Sequence, residues 1–110
     1  VKNSFIGDGC VINGTVKNCI VFRGVTVEKG AVVEDAVIMG HSTIKAGAKV
    51  AHCIIAENAV IGEDTIVGAM PTDTEKGVAT VGPNVTVGAH AFIGPNAMVS
   101  ENVKDGEELC

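Results

Sequence analysis

The chain has 110 residues, the size of one domain, and 46% of them are hydrophobic, which is enough to build a core. Its formal net charge is −5 and its eight Lys and Arg residues are scattered singly, so the sequence offers no basic patch for nucleic acid. No apolar run reaches the roughly 18 residues of a membrane span and no signal segment is recognisable. We therefore expect a cytoplasmic protein with neither nucleic acid nor a membrane as partner.

Short strands are the first elements that the sequence predicts. Only three Phe and no Trp or Tyr are present, so Val, Ile and Ala must fill the core, which favours strands over a helical bundle. The segment from Ile6 to Val16 keeps no regular spacing, and we expect an irregular first coil there. Beyond it, aliphatic residues recur every 17 positions in three columns: Val16, Val33 and Val50; Val21, Ile38 and Ile55; Val27, Ile44 and Ile61.

A polar stretch, GAMPTDTEKG from Gly68 to Gly77, follows these columns. It contains a Pro and no aliphatic repeat, which is typical of a loop. We expect an excursion loop near residues 68–77. A passive surface role and a contact with a partner or site both stay open for it.

After this loop the spacing changes to six. An aliphatic residue stands at Val81, Val87, Ile93 and Val99. Six matches neither the helix period of about 3.6 nor the strand period of 2, but it fits one short strand plus a corner. Strand alternation then points the first and third side chains of Ala91-Phe92-Ile93 inward and the middle one outward.

The corners between these strands need unusual backbone angles. Gly82, Gly88 and Gly94 follow the strands, and Gly tolerates such angles. Asn84 and Asn96 suit corners for a related reason. Three hexads make an 18-residue coil, and stacked coils form a prism of three parallel sheets. A coil of 17 residues then has one corner that is a residue tighter.

The hexads VGPNVT, VGAHAF and IGPNAM resemble the hexapeptide repeat of left-handed β-helix proteins. The general rule for parallel crossovers would give a right-handed coil, so the left hand is what the resemblance implies. We expect an all-β protein over residues 1–110. Its fold would be a single-stranded left-handed parallel β-helix, a hexapeptide-repeat solenoid of about five coils.

The segment NGTVKNCIVFRGVTVEKGAVVEDAVIM, from Asn13 to Met39, is similar to the C-terminal β-helix of bacterial glucose-1-phosphate adenylyltransferase, also called ADP-glucose pyrophosphorylase. The similarity runs from about Asn3 to Gly68. That family joins ATP and glucose 1-phosphate to give ADP-glucose and pyrophosphate for glycogen synthesis. The resemblance implies an excised C-terminal domain with an oligomerisation and regulatory role, without its N-terminal nucleotidyltransferase domain.

The resemblance also implies partners and cofactors. The partners would be the parent's own N-terminal nucleotidyltransferase domain and other subunits of a homo- or hetero-oligomer, a tetramer in the parent. The parent would use ATP with Mg, whereas we expect no cofactor and no catalytic residue in this chain, and no activity from it alone. A hexapeptide-repeat acyltransferase and a non-catalytic β-helix scaffold stay open as alternatives.

Three histidines are candidates for other chemistry. Such acyltransferases often use one His as general base, and His90 in VGAHAF is the candidate here, with a plain corner residue as the alternative. His41 and His52 fall in different 17-residue columns and therefore at different corners. Because the ligands of a metal must converge on it, we expect no metal site.

Four cysteines allow three disulfide pairings in principle: Cys10, Cys19, Cys53 and Cys110. Cys19 and Cys53 are two coils apart, with Ala36 between them. Their Cα atoms should then be roughly 9–10 Å apart, which exceeds the limit of about 7 Å for a disulfide. We expect reduced thiols, as is usual in a cytoplasmic protein.

Two sets of residues are candidates for binding. Arg23 is the only Arg, and the resemblance implies regulation by phosphorylated metabolites, whose anionic groups Arg binds well; an Arg without a partner is the alternative. Val21, Ile38 and Ile55, taken as outward-pointing, form an apolar ladder of the kind that marks an interaction surface. We expect this ladder to pack against the nucleotidyltransferase domain or a neighbouring subunit.

Overall fold

The computed structural model describes residues 4–68, 79–94 and 97–109, which form short β-strands joined by tight corners. In chain order the strands are β1 Phe5–Ile6, β2 Val11–Ile12, β3 Thr15–Lys17, β4 Ile20–Val21, β5 Thr26–Val27, β6 Val32–Glu34, β7 Val37–Ile38, β8 Thr43–Ile44, β9 Lys49–Ala51, β10 Cys53–Ile55, β11 Val60–Ile61, β12 Ile66–Gly68, β13 Ala79–Val81, β14 Thr86–Val87, β15 Phe92–Ile93, β16 Met98–Val99 and β17 Glu108–Leu109. None of the described residues belongs to a helix with the length and apolar character that crossing a membrane requires.

The strands stack into three sheets, which are the faces of a prism. Sheet 1 contains β1, β4, β7, β10, β13 and β16; sheet 2 contains β2, β5, β8, β11 and β14; sheet 3 contains β3, β6, β9, β12, β15 and β17. The strand pairs are parallel throughout. The predicted all-β solenoid of about five stacked coils is confirmed.

The strand register accounts for the 17-residue repeat. Ile20 pairs with Val37, and Val37 pairs with Ile54, so successive coils are offset by 17 residues (37−20 and 54−37). Phe5 pairs with Ile20 at an offset of 15 (20−5), and the first coil is therefore irregular, as predicted. Thr80 pairs with Met98 at the full offset of 18 (98−80). The predicted excursion loop near 68–77 lies almost wholly outside the described residues.

The tighter corner of each 17-residue coil lies between sheet 3 and sheet 1. Two residues separate the buried Val33 from the buried Ala36, whereas three separate the buried Val27 from the buried Ala31. Lys17 pairs with Glu34 and Glu34 pairs with Ala51, which keeps the short corner in line through successive coils. The sequence predicted one tight corner, and this position is where it falls.

The interior of the prism is a continuous column of small and branched side chains. The residues with no exposed surface include the predicted inward set Val27, Ile44 and Ile61. In the hexads, Ala91 and Ile93 are buried while Phe92 between them is half-buried on the outside. Inward and outward positions therefore alternate as the strand geometry requires.

The predicted outward ladder of sheet 1 is wrong. Val21, Ile38 and Ile55 have 0% exposed surface and belong to the core. The first inward residue of each of these strands is Cys19, Ala36 or Cys53, and alternation then places the next residue outside and the third inside. These three residues therefore cannot form an interface with another domain or subunit. The outward row of the same sheet consists of Ile20, Val37 and Ile54.

The corners use the left-handed backbone region, but not at the predicted glycines. None of Gly82, Gly88 and Gly94 has a positive φ. The positive φ angles occur at other glycines and at eight residues with side chains: Asn18, Asp35, His41, His52, Asn58, Asp64, Asn84 and His90. Asn, Asp and His are the residue types that tolerate this region best after Gly. Asn84 was predicted as a corner residue and has φ of 60°, whereas Asn96 lies outside the described residues.

Gly88 is required for a different reason, the close approach of the next coil. A Cβ atom at Gly88 would lie 2.5 Å from the backbone nitrogen of Asp105. At Gly82 it would lie 3.0 Å from the carbonyl oxygen of Val99. Stacked coils leave no room for a side chain at these two positions.

Candidate functional site

A groove lies at the corner where the chain passes from sheet 1 to sheet 2. Its volume is about 310 Å³, and its lining consists of Phe22, Arg23, Met39, Gly40, His41 and Glu57. Arg23, the predicted binding residue, is thus one wall of a groove formed by three successive coils. The sequence gave no indication of its other polar residues, His41 and Glu57, although their 17-residue offsets place them near the same corner.

Stacking of equivalent corner residues positions the charges of this groove. Arg23, Gly40 and Glu57 are 17 residues apart (40−23 and 57−40), at the same place in three coils. His41 donates a backbone hydrogen bond of 2.9 Å to the Arg23 carbonyl, and Asn58 donates one of 3.1 Å to the Gly40 carbonyl. Coils about 4.8 Å apart place the Cα atoms of Arg23 and Glu57 roughly 9–10 Å apart. Gly40 has no side chain and leaves the space between them open.

The side chains of the groove combine a cation, an anion and an imidazole with apolar walls. Arg23 and Glu57 are exposed, and within the described ranges neither takes part in an ion pair. Phe22, 48% exposed, and the half-buried Met39 form the apolar side. The guanidinium of Arg23 can bind a phosphate through two parallel hydrogen bonds, and the Glu57 carboxylate can accept hydrogen bonds from hydroxyl groups.

The three histidines lie at three separate corners of the prism. His41 borders the groove; His52 stacks on Asp35 at the tight corner, with Nε2 and Oδ2 3.5 Å apart. His90 stacks on Asp64 at the third corner, where Nδ1 and Oδ2 are 3.9 Å apart and the His90 side chain is 70% exposed. The predicted separation of His41 and His52 is confirmed. In the part of the chain that the structure describes, no three His, Cys, Asp or Glu side chains are grouped as metal ligands.

The described cysteines Cys10, Cys19 and Cys53 are free thiols. Burial raises the pKa of the Cys19 thiol, which donates a hydrogen bond of 2.9 Å to the Lys17 carbonyl. Burial also raises the pKa of Cys53, and the neighbouring Cys19 raises it further. Both thiols therefore stay protonated at neutral pH and are unsuited to act as nucleophiles. Cys110 lies outside the described residues.

Comparison with curated proteins places the strongest similarity in the first two thirds of the chain. Over 68 residues it is 35% identical to the glucose-1-phosphate adenylyltransferase of Acetivibrio thermocellus, which covers 62% of this chain and 16% of that enzyme. Over 67 residues it is 40% identical to the same enzyme of Bacillus thuringiensis, covering 61% of this chain and 16% of the enzyme. The chain thus spans about one sixth of these relatives, in their C-terminal part. The resemblance drawn from the sequence is confirmed.

Comparison with solved structures confirms the fold. The acetyltransferase domain of PglB from Neisseria gonorrhoeae superposes with a TM-score of 0.66 over 96% of this chain and 50% of that one. Their sequence identity is 17%, so this likeness concerns the fold alone. Residues 1–87 match the family described as GlmU-like, C-terminal hexapeptide. With its stacked parallel coils and this match over most of its length, the chain belongs to the GlmU-like C-terminal hexapeptide family, and its fold is the left-handed β-helix of hexapeptide-repeat proteins.

Proposed function

We propose that this chain is the oligomer-forming and regulatory β-helix of a glucose-1-phosphate adenylyltransferase, which converts ATP and glucose 1-phosphate into ADP-glucose and pyrophosphate. The observation that carries the proposal is the identity of 35% and 40% to two such enzymes over a segment that is 16% of their length. Catalysis would then belong to the partner, an N-terminal nucleotidyltransferase domain that uses ATP with Mg. Several such subunits would assemble into a tetramer.

Within this function, the groove at Arg23 is the site for a phosphorylated regulatory metabolite. The Arg23 guanidinium binds the phosphate, because its planar donors match two phosphate oxygens. The His41 imidazole, on the adjacent coil, offers a further hydrogen bond. Glu57 lies two coils away across the open space over Gly40 and accepts hydrogen bonds from the hydroxyl groups of the ligand. Phe22 and Met39 contact its carbon skeleton.

The rigidity of the solenoid suits a regulatory role. Each coil is hydrogen-bonded to the coils above and below, so the corner residues that line the groove hold a fixed spacing. A ligand that bridges Arg23 and Glu57 contacts coils that the backbone already holds at the correct distance. It therefore binds without the entropic cost of ordering a loop.

A titration of the chain with glucose 1-phosphate tests this site, with glucose and inorganic phosphate as matched partial ligands. We expect glucose 1-phosphate to bind more tightly than either, and Arg23→Gln to weaken binding about tenfold or more, because a charge-assisted bidentate contact is lost. Lys29→Gln removes a cation from an exposed corner outside the groove and serves as the control. Equal binding by the Arg23→Gln and Lys29→Gln variants would contradict the site.

The acyltransferase alternative has a test of its own. His90 is largely exposed and is not among the residues lining the Arg23 groove. A titration with acetyl-CoA should therefore show no binding that depends on His90. Saturable acetyl-CoA binding that His90→Ala abolishes would favour the acyltransferase, and a chain that binds neither acetyl-CoA nor glucose 1-phosphate would favour a structural scaffold.

A further inference from the structure

The outward surface of sheet 1 is apolar in two adjacent rows. The first row consists of Ile20, Val37 and Ile54 and the second of Phe22, Met39 and Ala56, one residue of each row in each of three coils. Ile20 and Phe22 are each 48% exposed. By contrast, the outward row of sheet 2 contains Thr26 and Thr43, and that of sheet 3 contains Lys49. We call the six residues of these two rows the apolar face.

The rows of this face are self-complementary about one coil. In the first row Val37 lies between two isoleucines. In the second row Met39 lies between the large Phe22 and the small Ala56. A two-fold axis that runs along the strand direction through the middle coil therefore sets Ile20 opposite Ile54 of a second copy, and Phe22 opposite its Ala56.

The charges beside the face follow the same symmetry. Arg23 and Glu57 flank Gly40, so the same axis sets each Arg23 opposite the Glu57 of the other copy and brings the two Gly40 residues together. The open groove over Gly40 permits the close approach that this needs. At the opposite margin Asp35 would meet its own copy, although it is paired with His52 at 3.5 Å. The contact is therefore centred toward the Arg23 corner.

We propose that two copies of this chain associate antiparallel through the apolar face, with two symmetric ion pairs between Arg23 and Glu57. An isologous interface of this kind closes into a dimer and cannot propagate into a filament. The face offers far fewer residues than the roughly 20–30 per side of a typical stable interface, so the dimer is weak in the isolated chain. The proposal deepens the oligomer-forming part of the proposed function and names its surface.

Charge reversal at the two corner residues tests this arrangement by sedimentation velocity from about 10 µM to about 1 mM, where weak interfaces associate. Arg23→Glu and Glu57→Arg each place like charges together twice, so we expect each to weaken dimerisation about tenfold or more. The double variant restores the opposite charges with their signs exchanged and should regain most of the association. Lys29→Glu and Glu63→Arg, at exposed positions outside the face, are matched controls and should associate like the unaltered chain.

The proposal is overturned if the chain stays monomeric up to about 1 mM, or if the double variant associates no better than the single ones. It is also overturned if the controls weaken association as much as the test variants do. Circular dichroism confirms that each variant is folded. Glu57→Arg separates this inference from the metabolite site: it retains Arg23 and should bind glucose 1-phosphate at least as well as the unaltered chain while losing the dimer.

Discussion

The hydroxyl group of Thr65 joins two coils by donating a hydrogen bond of 2.7 Å to the Gly88 carbonyl. The same oxygen accepts a bond of 3.3 Å from the Ala91 backbone N–H, so one buried side chain satisfies two backbone groups of the following coil. Ser42 does the same one corner away, donating to the Ala56 carbonyl at 2.7 Å and accepting from the Ala59 N–H at 3.3 Å. Both side chains have 0% exposed surface. They are hydrogen-bond bridges inside an otherwise apolar column.

Thr65→Val keeps the side-chain shape and removes both hydrogen bonds. We expect the free energy of unfolding to fall by about 1–3 kcal/mol, because the Gly88 carbonyl and the Ala91 N–H lose a partner in the interior. Urea denaturation measures this change. Thr43→Val, the same replacement at a half-buried outward position, is the control and should stay within about 0.5 kcal/mol. Equal losses in the two variants would contradict the bridging role.

The phase of sheet 1 is tested by a pair of neighbouring substitutions. Ile38→Asp buries a carboxylate without a partner and should cost several kcal/mol, enough to unfold a domain of ordinary stability. Val37→Asp places the same group on the outside, where it loses about 1 kcal/mol of strand preference. Thermal unfolding in dilute solution distinguishes the two. An Ile38→Asp variant that melts at the temperature of the unaltered chain would show that the register is wrong.

Asn58 tests the backbone conformation of the corners, since it is exposed and has φ of 57°. Asn58→Gly should change the free energy of unfolding by no more than a few tenths of a kcal/mol, because Gly adopts this region readily. Asn58→Val should lose about 1–2 kcal/mol, because a β-branched residue is strained there. Chemical denaturation of both variants gives the comparison, and a Val variant as stable as the Gly variant would refute a left-handed corner.

The buried thiols predict a pattern of chemical modification. Burial raises the pKa of Cys19 and of Cys53, so both stay protonated at pH 9, where an ordinary thiol with pKa about 8.5 is largely ionised. Treatment of the folded chain with iodoacetamide, followed by peptide mass spectrometry, should leave both unmodified until denaturant is added. Rapid alkylation of Cys53 in the folded chain at pH 9 would contradict its burial in the prism.

The sequence predicts much of this fold because each hexad or shortened hexad repeats one local rule. Val27, Ile44 and Ile61 show both the 17-residue offset and the inward direction, and the structure confirms both. The error at Val21, Ile38 and Ile55 was one of phase. A row of aliphatic residues on each side of the alternation hides which one faces the core. The small residues Cys19, Ala36 and Cys53 carry the missing signal, since the hexads already pair a small inward residue with a branched one.

The site was harder to predict than the fold. Arg23 stands out as the only Arg, but the groove beside it depends on the absence of a side chain at Gly40 and on residues from two further coils. Column alignment places those residues at one corner without showing that an open space exists there. The corner conformation was missed for a similar reason: Gly88 serves close packing, while His90 has the positive φ.

The most direct measurement of the proposed function is made on a chimera. In it, the chain replaces the matching C-terminal segment of the Bacillus thuringiensis glucose-1-phosphate adenylyltransferase, to which it is 40% identical over 67 residues. ADP-glucose formation is assayed with and without phosphorylated metabolites. The account predicts an oligomeric, active chimera whose rate responds to such a metabolite, and an Arg23→Gln version that keeps its basal rate and loses the response. A chimera that fails to assemble, or whose response is the same with Arg23→Gln, would contradict it.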